Sequence, residues 1–151
     1  MKFLKFAFLF LGFISVADAA NITIYYSPSC PHCHHARDFF KNDLIYEYND
    51  LIVTEIDATN ANNRAEFMNT LEKCKYKSGG VPVMVIGEKC FQGYGDMLRD
   101  ELRSAVEIDL TDAQKQSAIA NRQELKNNRN AFISNHSDRL NAIVNTGVKK
   151  N

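Results

Sequence analysis

The chain is expected to fold as a small mixed α/β sheet with helices on both faces, followed by a helical C-terminal extension. Three observations lead there. Short runs rich in β-branched and aromatic residues alternate with helical patterns, in the order strand, helix, strand, helix, strand, strand, helix. A pair of cysteines spaced C-x-x-C, Cys30-Pro31-His32-Cys33, stands where the first strand gives way to the first helix. The last two strands are joined through Gly87-Glu88, a link so short that it favours an antiparallel hairpin.

Each element has its own signature. Asn21-Ile22-Thr23-Ile24-Tyr25-Tyr26 has the composition of a strand and is ended by Ser27-Pro28-Ser29. Pro31 suits the first turn of a helix, where its missing N–H costs nothing. From there Cys33, Ala36, Phe40 and Leu44 recur at helical spacing, with Arg37 and Lys41 on another face. Residues 51–56 read as a second strand that starts with an unbroken apolar run, and residues 57–60 as a turn. A second helix is expected over 61–75, with Ala65, Met68, Leu71 and Glu72 on or near its apolar side, broken by Ser78-Gly79-Gly80. Residues 81–86 form the third strand, and Pro82 fits its start because proline cannot donate to a ladder. After Lys89-Cys90-Phe91 a third helix spans about 94–106, with Met97, Leu98, Glu101, Leu102 and Ala105 on one side. Beyond it, Thr111 answered by Gln114 is a capping box. Two tail helices are expected, the second carrying an amphipathic face of Phe132, His136, Leu140, Ile143 and Val144.

Residues 1–19 have the three parts of an export signal: Lys2 and Lys5, an apolar run from Phe6 to Val16, and Ala17-Asp18-Ala19 before the cut. The run is about eleven residues, against about 20 for a membrane-spanning helix, so cleavage is favoured over retention as an anchor. The expected destination is the periplasm or another secreted compartment. About 131 residues would remain, the size of one domain, read as residues 20–106 with an extension over 107–151. Removing Lys2, Lys5 and Asp18 from the 18 basic and 18 acidic side chains leaves a formal charge of −1. That balance lacks the basic footprint of a nucleic-acid binder. All four cysteines lie in the exported part, where disulfides persist.

The chemistry centres on Cys30 and Cys33. At a helix N-terminus the backbone N–H groups and the helix dipole favour a Cys30 thiolate and lower its pKa below the usual value of about 8.5. His32, if protonated or donating a hydrogen bond, stabilises it further. Cys30 would then exchange disulfides with a substrate and Cys33, deeper in the helix, would resolve the mixed disulfide. A permanent structural bridge and a copper or zinc site with a nearby histidine are the alternatives. Adjacent helix positions diverge by about 100°, so at most one of His34 and His35 turns toward the thiols, and no metal or other cofactor is expected. Cys74 and Cys90, sixteen residues apart, are expected as a structural bridge worth about 3 kcal/mol, with an exchange-active pair or separate thiols as the alternatives. Tyr25, Tyr26, Phe39, Phe40, Phe67 and Phe91 read as core and site-rim residues.

The strand before Cys30, the C-x-x-C opening a helix and Val81-Pro82 ahead of a hairpin together resemble the thioredoxin-fold superfamily in its compact, glutaredoxin-like form. The resemblance covers residues 21–104. It implies that Pro82 is cis and faces the dithiol, and that Val81 offers backbone groups to an extended substrate chain. The Cys-Pro-His-Cys centre and the Val before proline are similar to DsbA-type periplasmic oxidases, in which such a histidine favours the reduced form and makes the disulfide a stronger oxidant. The chain departs from them in two ways. Cys33 and Pro82 are 49 positions apart, too few for the oxidases' helical insertion, and the first strand offers Ile24 where they carry an acidic residue. The expected activity is thiol–disulfide exchange with exported proteins, as oxidant ahead of reductase or isomerase, with Pro31 fixing the turn. A membrane redox partner and a homodimer formed through the extension are further expectations.

Overall fold

The computed structural model describes residues 21–146, so the expected export signal lies outside the described residues. Five strands form one mixed sheet. They are β1 (Ile22–Tyr26), β2 (Val53–Asp57), β3 (Val83–Ile86), β4 (Lys89–Gln92) and β5 (Ile143–Asn145), ordered β4-β3-β1-β2-β5. β1 runs parallel to β2 and antiparallel to β3; β4 is antiparallel to β3, and β5 parallel to β2. Parallel neighbours need a long crossover, and between β1 and β2 it is supplied by one continuous helical rod. The rod comprises α1 (Pro31–Phe39), a π-helical segment (Phe40–Leu44) and α2 (Ile45–Glu47). This is a thioredoxin-like fold with a C-terminal helical extension.

Alternation along the strands divides the core. Ile22, Ile24, Val53, Met84 and Ile86 face the rod and pack on Ala36, Phe39, Phe40, Leu44 and Ile45. Tyr25, Ile56 and Val83 face the other way, onto Phe67 and Leu71 of α3 (Arg64–Lys73). α4 (Arg99–Val106) adds Leu102, Ala105 and Val106 to the rod side, so helices do lie on both faces.

Several inner faces differ from the expected ones. In α3 the buried pair is Phe67 and Leu71, while Ala65, Met68 and Glu72 are exposed. A helix this short lays a single i,i+4 stripe on the sheet. Met97 is 88% exposed. It sits in a 3₁₀ turn (Asp96–Leu98) ahead of α4, so the α-helical period does not set its direction. Ile52, inside the expected apolar run, precedes β2 and is exposed.

The extension also departs from expectation. α5 (Asp112–Asn135) opens with the capping box of Thr111 and Gln114 and is interrupted at Asn128, whose backbone is not helical (φ −138°, ψ 45°). The second amphipathic segment is not an α-helix. It is a 3₁₀ stretch (Ser137–Ala142) followed by β5, where β-branched Ile143 and Val144 pair with Val53 and Thr54. An open edge of β2 offers these residues backbone partners that a solvated helix would not. Ala118, Leu125 and Ala142 join the same core as the rod.

Polar chemistry ties the pieces together. Glu47, 1% exposed, accepts a fork from Arg103 of α4 (2.8 and 2.7 Å) and a further bond from Arg122 of α5 (2.8 Å). Beside it, the Tyr48 hydroxyl donates to Glu107 at 2.6 Å and accepts from Arg122 at 3.1 Å. The Arg139 guanidinium donates to the carbonyls of Ile45, Tyr48 and Leu51, satisfying groups that the end of the rod leaves free. Arg129 does the same for the Asn42 carbonyl and pairs with Asp43.

Two outcomes follow from this network. Glu47→Ala leaves two guanidiniums without their carboxylate, and urea unfolding should show a loss of about 3–5 kcal/mol. Burial, and then the bond to Glu107, push the Tyr48 hydroxyl well above its ordinary value. An unfolded tyrosine ionises near 10, so above that pH the unfolded state sheds its proton first. Stability is therefore intact below about pH 10 and falls above it, by up to about 1.4 kcal/mol per pH unit for this group. The slope should be shallower in Tyr48→Phe when unfolding is followed against pH.

Candidate redox site

β1 ends at Tyr26, and the Ser27–Ser29 turn carries the chain over the edge of the sheet to Cys30. Backbone and side chain both hold that turn. The Cys30 N–H donates to Ser27 O (3.1 Å), Ser29 N–H to Ser27 Oγ (3.4 Å) and His34 Nε2 to Pro28 O (2.8 Å). His34 is thus engaged with the loop ahead of the dithiol, while His32 and His35 are exposed on α1. Among the described residues no group of three His, Cys, Asp or Glu side chains has the geometry to hold a metal.

Cys30 is the N-cap of α1, in extended conformation, with Pro31 as the first helical residue. Its Sγ takes the place that a Ser or Asp oxygen fills in an ordinary cap, and the Cys33 N–H points at it from 3.2 Å. Cys30 and Cys33 are joined as a disulfide, their Cα atoms 5.2 Å apart. The two sulfurs differ in access: Cys30 is half-buried, whereas Cys33 has no exposed surface. An incoming group meets Cys30 first.

From the other side comes the turn before β3. The Val81–Pro82 peptide bond is cis, and the Val81 carbonyl oxygen lies 3.6 Å from Cys30 Sγ. Residues 51 positions apart thus meet at one sulfur. As a disulfide, Cys30 has no proton to give this oxygen; as a thiol it can donate to it. A thiolate is repelled by the carbonyl and held instead by the Cys33 N–H. Pro82 is buried and Val81 half-buried.

Sequence reasoning missed a buried charge under the dithiol helix. Glu55, 4% exposed, lies opposite Ile24 in the β1–β2 register and pairs with Arg37 at 2.6 Å, one turn beyond Cys33. Arg37 also stacks over Tyr26, 4.2 Å from the ring centroid. The absence of an acid from β1 was correctly read, yet an acid stands at that depth on the neighbouring strand. The signal was available: Val53 and Glu55 are two apart and so share a face, which turns Glu55 inward with Val53. Gln92, last residue of β4, was missed altogether; its amide reaches the Ser78 and Gly80 carbonyls at 2.9 Å each.

Cys74, at the C-cap of α3, is bonded to Cys90 of β4. This bridge spans the stretch that carries Val81 and Pro82. His136 stacks on Phe132, with centroids 4.2 Å apart, as a packing residue.

Fold and site together define a thioredoxin-fold protein, compact in the glutaredoxin manner, with a C-x-x-C disulfide at the start of its first helix. That arrangement is consistent with thiol–disulfide chemistry. No protein-family description and no curated protein matches the chain. Among solved structures it is similar to a glutaredoxin from Archaeoglobus fulgidus, 28% identical over 56% of this chain and 86% of that one, with a TM-score of 0.42.

Removing the second bridge tests its contribution to the frame. Cys74→Ser with Cys90→Ser opens a loop of sixteen residues, and a loss of about 3 kcal/mol is expected in urea unfolding. No loss would mean that the bridge adds nothing to the folded state's stability.

Proposed function

We propose that this chain is a protein thiol–disulfide oxidoreductase that donates the Cys30–Cys33 disulfide to exported proteins in the periplasm or another secreted compartment. One observation carries the reading: Cys30 Sγ caps α1 and faces the Cys33 N–H at 3.2 Å, with Cys33 closed off behind it. A disulfide sulfur is a poor acceptor at a helix start, and a thiolate is a good one. Reduction therefore improves the cap, which favours the dithiol state and makes the disulfide an oxidant. His32, exposed next to Cys30, adds to this when its imidazole is cationic or donates to the sulfur.

The exchange balances as follows. A substrate thiolate attacks Cys30 Sγ, the Cys30–Cys33 bond breaks, and Cys33 leaves as the thiolate and takes up a proton. A second substrate thiolate then attacks the substrate sulfur of the mixed disulfide and expels the Cys30 thiolate. Two electrons pass from the substrate to the protein, and a substrate disulfide is released. Pro31 keeps the turn between the cysteines fixed, and Val81 and Pro82 border the attacked sulfur. Restoring the disulfide requires an external acceptor, for which a membrane redox partner is the proposal.

The reduction potential of the Cys30–Cys33 couple tests the direction, measured in thiol buffers on the Cys74→Ser, Cys90→Ser background. A value near about −120 mV is expected; one near about −270 mV belongs to reductants and would overturn the oxidant reading. In parallel, Cys33→Ser should accumulate mixed disulfides with exported proteins on non-reducing gels, and Cys30→Ser should form none.

A further inference from the structure

The segment between α3 and β3 has little regular structure of its own, since Ser78, Gly79 and Gly80 are exposed and lie outside any helix or strand. It is held from β4. The Gln92 amide nitrogen donates to the carbonyls of both Ser78 and Gly80, at 2.9 Å each. The next residue, Gly93, donates its N–H to the Pro82 carbonyl at 2.8 Å. Two consecutive residues therefore take up the carbonyls at positions 78, 80 and 82.

The Gly80 carbonyl shares a planar trans peptide unit with the Val81 N–H, and in such a unit the two groups point in opposite directions. Fixing the Gly80 oxygen toward Gln92 turns the Val81 N–H away from β4. That N–H has no hydrogen-bond partner among the described residues. The carbonyl of the same residue lies against Cys30 Sγ. A donor that is fixed, unpaired and adjacent to the reacting sulfur is suited to an extended backbone passing the site.

We infer that Gln92 is a positioning residue for substrate capture. By holding the Gly80–Val81 peptide it presents the Val81 N–H to a backbone carbonyl of an extended polypeptide whose cysteine reaches Cys30. This rests on the exchange reading above and names its substrate class: cysteine-bearing segments in extended conformation, rather than small thiols. Gln92 acts through Gly80 and touches no substrate.

The test compares two reductants of the disulfide form: a cysteine-containing decapeptide dithiol and dithiothreitol, which has no peptide backbone. Gln92→Leu removes both donors, and Gln92→Glu sets a carboxylate against two carbonyls. In both, KM for the peptide should rise about tenfold, equivalent to about 1.4 kcal/mol, with kcat, the dithiothreitol rate and the reduction potential within about twofold of the parent. Gln92→Lys, which restores donors, should recover most of the peptide KM. Unchanged peptide KM in both Leu and Glu variants would overturn the inference, as would a parallel fall in the peptide and dithiothreitol rates, which would make Gln92 a general support of the fold. A parent protein that oxidises neither reductant would sink the exchange reading itself, a result distinct from either.

Discussion

The carboxylate of Glu47 is the constraint on which the rest of the arrangement depends. Taking a carboxylate almost wholly out of water costs several kcal/mol unless its oxygens are met by donors in good geometry. Here they are met by guanidiniums from two elements that come much later in the chain, α4 and α5. The requirement to satisfy one buried charge thus specifies where both helices dock on the end of the rod. Arg129 and Arg139 extend the same logic along it, and their targets include backbone carbonyls that a helix end cannot satisfy itself. The arginine fork suits the task, because a lysine offers a single point charge where two oxygens must be reached at once.

With the far end of the rod held in this way, its near end can present a reactive group. The rod starts at the dithiol and ends at Glu47, so the packing that secures one end restrains the other. Between them, the Arg37–Glu55 pair fastens the rod to β2 about one turn below Cys33. On the opposite side of Cys30, the Val81 turn is secured by the end of β4 and by the Cys74–Cys90 bridge. The attackable sulfur stands between two supports that are both anchored in the sheet.

Local patterns carried much of this. The strands, the C-x-x-C at a helix start, the hairpin and the capping box of Thr111 are short-range signals, and each stands where the pattern put it. The pairing of Cys74 with Cys90 and the approach of Val81 to Cys30 also agree with the sequence reading, because both follow from the element order. What escaped were features decided by distant partners. Met97 and Met68 look like core residues to a periodicity argument, yet no facing layer covers them. Glu47, Glu55, Arg37 and Gln92 look like ordinary polar residues until their partners are in place. The tail from Leu140 to Val144 has apolar spacing that suits a helix face, and only the vacancy beside β2 makes it a strand.

That strand has a consequence for how the sheet is completed. β5 pairs with β2, whose residues precede it by ninety positions: Val53 meets Ile143. Every other ladder joins segments much closer in the chain, the furthest being Ile22 with Ile86. Closing so long a loop is entropically the most expensive of the ladder contacts, and contacts of this kind form late. Until it forms, β2 is a raw edge with unpaired backbone groups, open to any strand that reaches it first. A β5 from a neighbouring copy offers the same register and the same hydrogen bonds, so at high concentration during folding the exchange of this short strand between chains is the misassembly to which this topology is most exposed.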